Sequence, residues 1–118
     1  QVPLLDMQRY NKLLAGASWM SEYGDPDKPE DWAYIQTWSP YHLLKRDAKY
    51  PTPFFWTNTR DDRVHPGHAR KMVARMQELG HPVYYFENIE GGHGSAANNE
   101  QSAFMEALAY VFLWKELN

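Results

Sequence analysis

The stretch "PFFWTNTRDDRVHPGHARKMVARMQELGHPVYYFEN", residues 53–88, decides the fold. With Thr52 it opens on a strand over 52–59, rich in aromatic and β-branched residues after a proline. From Pro66 onward, Ala69, Met72, Val73, Met76 and Leu79 recur at spacings of three and four. That spacing puts them on one helix face, and Gly80 closes the helix as the residue past its C-cap. "PVYYFEN", 82–88, reads as a second strand, and Glu100 to Leu117 as a last helix. Strand, helix, strand, helix with short connections implies an α/β fold, with parallel strands joined by crossover helices.

Outside this unit the pattern is less regular. "VPLL", 2–5, reads as the end of a buried strand, and residues 8–15 as a short helix stopped near Gly16. Asp27 is the expected N-cap of a helix with Pro29 in its first turn, running to about Trp38 and stopped by Ser39-Pro40. The last helix is apolar nearly all round, from Ala103 and Phe104 to Trp114 and Leu117. Such a helix needs cover on more than one side, and parallel sheets are normally buried on both faces. Two or three strands cannot supply that cover, so the sheet is expected to be incomplete.

The chain has 118 residues, one small domain or a piece of a larger one, and it opens on Gln1 as if partway through a longer product. With 43% hydrophobic and 23% charged residues it is globular in composition. The net charge is −3, and six basic residues fall in each half, so nothing recommends a nucleic-acid partner. The absence of cysteine removes disulfides, thiolate zinc sites and cysteine nucleophiles. The longest apolar run, "ALAYVFLW" at 107–114, falls short of the roughly 20 residues that cross a bilayer, so a soluble chain without a membrane partner is expected. The compartment stays open.

In an open α/β sheet, reactive groups gather where strands end and helices begin. "NTRDDRVHPGH", 58–68, and "EGGHG", 90–94, both lie on that edge. A carboxylate on one loop can orient a histidine on the other, fixing its tautomer and stabilising the imidazolium. Glycines around His93 allow close backbone approach. A metal reading takes Asp61, His65 and His68 as ligands, but Pro66 interrupts the helix between the histidines and no ligand spacing appears. A third reading is a solvated, helix-capping loop. With both loops considered, the acid–histidine reading leads, with no metal or cofactor. A nucleophile is missing. Ser18, Ser21, Ser39, Ser95 and Ser102 all lie outside a G-x-S-x-G turn, and Ser95 is too close in sequence to His93 to be held by it as an attacking group. In α/β hydrolases the order is nucleophile, acid, histidine, so the serine is expected upstream of Gln1.

"DDRVHPGHARKM", "EGGHG" and "SWMSEYGDPDKPEDWAYIQTWSPYHLL" together resemble the C-terminal part of the prolyl oligopeptidase family of serine peptidases. The resemblance runs the length of the chain. It implies that residues 1–118 are the C-terminal portion of a peptidase catalytic domain of α/β-hydrolase fold, without the nucleophile-bearing portion and the β-propeller. It implies Asp61 as triad acid, His93 as general base and Asp62 as a neighbour. It further implies that Arg63 bonds a substrate carbonyl, that Trp19 stacks on the substrate proline with Tyr23 nearby, and that Leu4 and Val64 close the proline pocket. His42, His65, His68 and His81 match no family role and are expected at the surface. The implied partners are a short proline-containing peptide and the upstream part of the same domain, with the chain inert alone. The alternative is a stand-alone or truncated fragment, catalytically inactive and folded by self-association with exchanged elements. An esterase or lipase of the same fold is less favoured, because Trp19 and Arg63 suit peptides.

Overall fold

The structure, a computed structural model, describes residues 1–94 and 97–118. Strands Phe54–Asn58 (β1) and Tyr84–Asn88 (β2) pair in parallel, with Phe54 opposite Tyr84 and Asn58 opposite Asn88. Helix Gly67–Glu78 (α4) makes the crossover between them. It turns Ala69, Met72, Val73 and Met76 inward, the face that the periodicity specifies. The helix ends in a Schellman motif. Gly80 takes φ +85°, its N–H bonds the Gln77 carbonyl at 3.0 Å, and the His81 N–H bonds the Met76 carbonyl at 2.9 Å. Helix Asn99–Leu117 (α5) follows β2, capped by the Asn98 side chain on the Gln101 N–H at 2.9 Å.

The first half differs from the pattern read in the sequence. Residues 2–5 form no strand, and a single bond from the Val2 N–H to the Trp56 carbonyl, 2.9 Å, marks the free edge of β1. The helix expected over 8–15 is replaced by two 3-10 segments, Tyr10–Lys12 and Leu14–Trp19. Leu13 is extended between them and Leu14 is left-handed at φ +51°, which breaks any continuous helix. Gly16 does not stop the segment; it lies inside it, where a Cβ would fall 1.6 Å from the Tyr10 carbonyl oxygen. Short helices Met20–Tyr23 (α1), Pro29–Ile35 (α2) and Pro40–Leu43 (α3) complete the layer. Asp27 does not cap α2. Lys28 holds the cap position, and the Asp27 carboxylate turns to Lys12 at 2.9 Å and Asn11 at 3.0 Å. The predicted helix stops at Ile35 rather than Trp38, and Pro40 starts α3 at its first turn.

Two apolar clusters hold these parts together. Leu5, Met72 and Met76 join the N-terminal segment to α4, with Phe55 and Val83 against them. Met7, Tyr10 and Ile35 centre the second, with Leu4, Trp19, Tyr23, Trp32 and Trp38 around it. By contrast, Met105 is the one buried residue of α5, while Trp114 is 73% and Leu117 80% exposed. The apolar helix lies against only one side of a two-stranded sheet, so its remaining flank is bare. No helix among the described residues is long and apolar enough to cross a membrane.

His68 overturns its surface assignment. It is 1% exposed, and its Nδ1 accepts the backbone N–H groups of Leu5 at 3.3 Å and Asp6 at 3.0 Å. Burial lowers its pKa from 6.5 to about 4, against the pull of the nearby Asp6 carboxylate. Asp6 is equally buried and pairs with Lys71 and with Arg9 at 3.4 Å. Burial pushes its carboxyl upward, but Lys71, Arg9 and His42 outweigh that and hold it below the usual range. His42 is exposed, as expected, whereas His65 and His81 are half-buried; each hydrogen-bonds within the chain.

Two outcomes follow from this packing. Gly16→Ala forces a methyl group into the Tyr10 carbonyl and costs at least about 2 kcal/mol in urea unfolding. Between about pH 6.5 and about pH 4 the unfolded His68 binds a proton that the folded one refuses, so stability falls on acidification. Unfolding measured at about pH 7 and about pH 5 differs by roughly 2 kcal/mol more in the unaltered chain than in His68→Asn, whose amide oxygen accepts the same bonds without titrating.

Candidate active site

The site is assembled at the carboxyl ends of β1 and β2, where two short loops lie side by side. After Asn58 the chain turns sharply, and the Asp61 N–H bonds the Asn58 carbonyl at 3.2 Å. This turn buries the Asp61 side chain completely. Its Oδ1 accepts the backbone N–H groups of Arg63 and Val64, each at 2.9 Å, an arrangement that aspartate favours at turns and helix entries. Those two bonds fix the carboxylate plane and leave Oδ2 facing the second loop.

His93 meets it there. The imidazole Nδ1 stands 2.9 Å from Oδ2 and 3.0 Å from Oδ1, and the side chain is 26% exposed. An ionised carboxylate only accepts, so Nδ1 carries the proton and Nε2 keeps its lone pair. A neutral imidazole with Nε2 free is a ready proton acceptor, and the buried carboxylate favours the cation that results. The structure thus brings together the two residues that the two loop motifs single out. Asp61, His65 and His68, weighed as metal ligands, turn to three different partners: His93, the Gly67 N–H and the Leu5–Asp6 backbone. No group of three or more potential ligands able to hold a metal ion occurs among the described residues.

Leu4, Trp19 and Tyr23 are half-buried and pack around the same cluster of Met7, Tyr10 and Ile35. Tyr23 stands edge-on to Tyr10, with centroids 5.9 Å apart, and near Trp38 at 6.1 Å. Val64 is buried in the Asp61 loop, and Arg63 and Asp62 are exposed beside it. One backbone bond ties the two regions, from the Ala15 N–H to the Arg63 carbonyl at 3.2 Å. The left-handed Leu14 turns the Ala15 N–H toward that carbonyl, at a conformational cost of about 1–2 kcal/mol. Ser95 lies outside the described residues. Sequence reasoning missed the buried polar side chains that brace these loops, above all Asn58. An asparagine closing an aromatic strand, where β-propensity disfavours it, was the available signal.

The chain matches the prolyl oligopeptidase family over residues 1–118. It is 52% identical over 117 residues to an uncharacterized peptidase of Sinorhizobium fredii, which covers 99% of this chain and 16% of that protein. It is 38% identical over 120 residues to a prolyl endopeptidase of Elizabethkingia miricola, covering 98% of this chain and 17% of the relative. Its fold is similar to that of a post-proline cleaving enzyme from Rickettsia typhi, with TM-score 0.90 and 38% identity over 94% of this chain and 16% of that one. The chain therefore spans about a sixth of the length of the relatives it matches. The paired strands, the crossover helix and these similarities make it a member of the prolyl oligopeptidase family of serine peptidases, carrying part of an α/β-hydrolase fold.

Proposed function

We propose that this chain is the C-terminal portion of a serine peptidase catalytic domain that hydrolyses short peptides after proline. It supplies the acid and the base, and the rest of the protein supplies the nucleophilic serine. The observation that carries this reading is the buried Asp61 carboxylate at 2.9 Å from His93 Nδ1. His93 Nε2 takes the serine hydroxyl proton as the oxygen attacks the scissile carbonyl carbon, then gives it to the leaving amine. A water activated the same way hydrolyses the acyl-enzyme. Asp61 keeps the imidazole in the tautomer that makes both transfers possible.

The substrate's proline ring fits against Trp19, because a flat indole suits a rigid apolar ring whose nitrogen has no hydrogen to satisfy. Tyr23, Leu4 and Val64 line the same pocket in this reading, and the exposed Arg63 offers fixed donors to a peptide carbonyl. Without the serine and its oxyanion donors the chain is inert alone.

A second reading, an inactive fragment folded by self-association, draws on the bare flank of α5, where Phe104, Trp114 and Leu117 are exposed. It requires elution larger than a monomer in gel filtration, and a well-folded monomer at low concentration rules it out.

The peptidase reading is tested by mixing the chain with the separately produced remainder of the catalytic domain and assaying a proline-containing chromogenic peptide. Turnover is restored by the unaltered chain and lost with His93→Ala; Asp61→Asn lowers kcat on the order of a thousandfold or more. Trp19→Ala raises KM by roughly tenfold. Equal turnover with His93→Ala would sink the assignment.

A further inference from the structure

Asn58 ends β1, is 2% exposed, and joins both loops of the candidate site. Its backbone carbonyl accepts the Asp61 N–H at 3.2 Å. Its side-chain Nδ2 donates to the carbonyl of Gly92, the residue before His93, at 2.7 Å. The same residue therefore fixes the start of the acid's turn and the backbone that carries the base. The loop it holds is "GGHG", whose glycines have no side chains with which to fasten themselves, so fasteners must come from outside.

The side chain has a cost that packing does not repay. Its Oδ1 is buried with no hydrogen-bond partner among the described residues. An apolar β-branched residue at this strand position would avoid that loss and suit the strand better. Directly opposite in register, Asn88 fastens the other root of the loop. Its Oδ1 accepts the Glu90 N–H at 3.1 Å, and its Nδ2 donates to Gln101 Oε1 at 3.3 Å. Gln101 in turn donates to Glu90 Oε2 at 2.6 Å. Two aligned strand-end carboxamides thus grip the loop from both sides.

We propose that Asn58 is a positioning residue: its hydrogen bond to Gly92 holds the His93 backbone where the imidazole meets Asp61. The proposal rests on the Asp61–His93 reading above, and it assigns the alignment of that pair to a side chain that touches neither substrate nor reacting atoms. Alignment errors of about an ångström cost up to a hundredfold in rate, so such a brace matters for turnover as well as for folding.

The test compares the unaltered chain with Asn58→Val, Asn58→Ala and Asp61→Ala. Asn58→Val removes the donor and the orphaned acceptor together and favours the strand, which guards against a variant that fails to fold. Circular dichroism and melting check the fold. Two-bond proton–nitrogen NMR spectra at alkaline pH report which ring nitrogen of His93 holds the proton. The unaltered chain holds it on Nδ1. Folded Asn58→Val and Asn58→Ala chains lose that preference as Asp61→Ala does, and in the reassembled enzyme they lower kcat by roughly tenfold or more with KM within about twofold. A folded Asn58→Val chain with the proton still on Nδ1, or with unchanged kcat, overturns the proposal. If His93 of the unaltered chain does not favour Nδ1–H, the Asp61–His93 pair itself fails, and the brace has nothing to align.

Discussion

A buried carboxylate is the constraint on which this arrangement depends. Asp61 has no solvent to satisfy it, so both of its oxygens must find donors inside the protein. Two come from its own turn, through Arg63 and Val64, and one from the imidazole of His93. Each donor is useful only if the backbone on its side is held still. The burial of one side chain therefore dictates the shape of the loop after β1, the position of the loop after β2, and the parallel pairing that brings their roots together.

Around this point the chain is fastened by bonds between segments far apart in sequence. The Ala15 N–H reaches the Arg63 carbonyl and links the aromatic layer of Trp19 and Tyr23 to the Asp61 turn. His68, the second residue of α4, accepts the backbone N–H groups of Leu5 and Asp6. A neutral ring nitrogen can accept both N–H groups and add no charge to the interior, which suits a site where Asp6 already needs Lys71 and Arg9. The apolar contacts of Leu5, Met72 and Met76 join the same N-terminal segment to α4.

Regular elements were legible because they repeat. The spacing of Ala69, Met72, Val73 and Met76 specifies α4 and its buried face, and Gly80 marks its end through a positive φ that other residues resist. Asp61 and His93 were legible because they sit on successive strand ends, where a parallel sheet gathers its reactive groups. The segment from Gln8 to Trp19 was not, since it is shaped by an extended Leu13, a left-handed Leu14 and a close approach at Gly16. None of these leaves a periodic trace. Asp27 was misread because an N-cap and an ion-pair partner look alike in sequence, and only the position of Lys12 separates them. His68 was misread for the opposite reason: its partners are backbone N–H groups, which every residue possesses.

The bond between the Leu5 N–H and His68 spans 63 residues, and its neighbour from Asp6 spans 62. On a ribosome adding about 5–20 residues per second, the amino-terminal segment waits several seconds for its acceptor to be made. During that interval Leu5 has no α4 to cover it, and the Val2 N–H has no β1 carbonyl to bond. Closure of so long a loop is entropically expensive and comes late. The nascent chain is therefore most exposed to wrong pairings just before its crossover helix emerges.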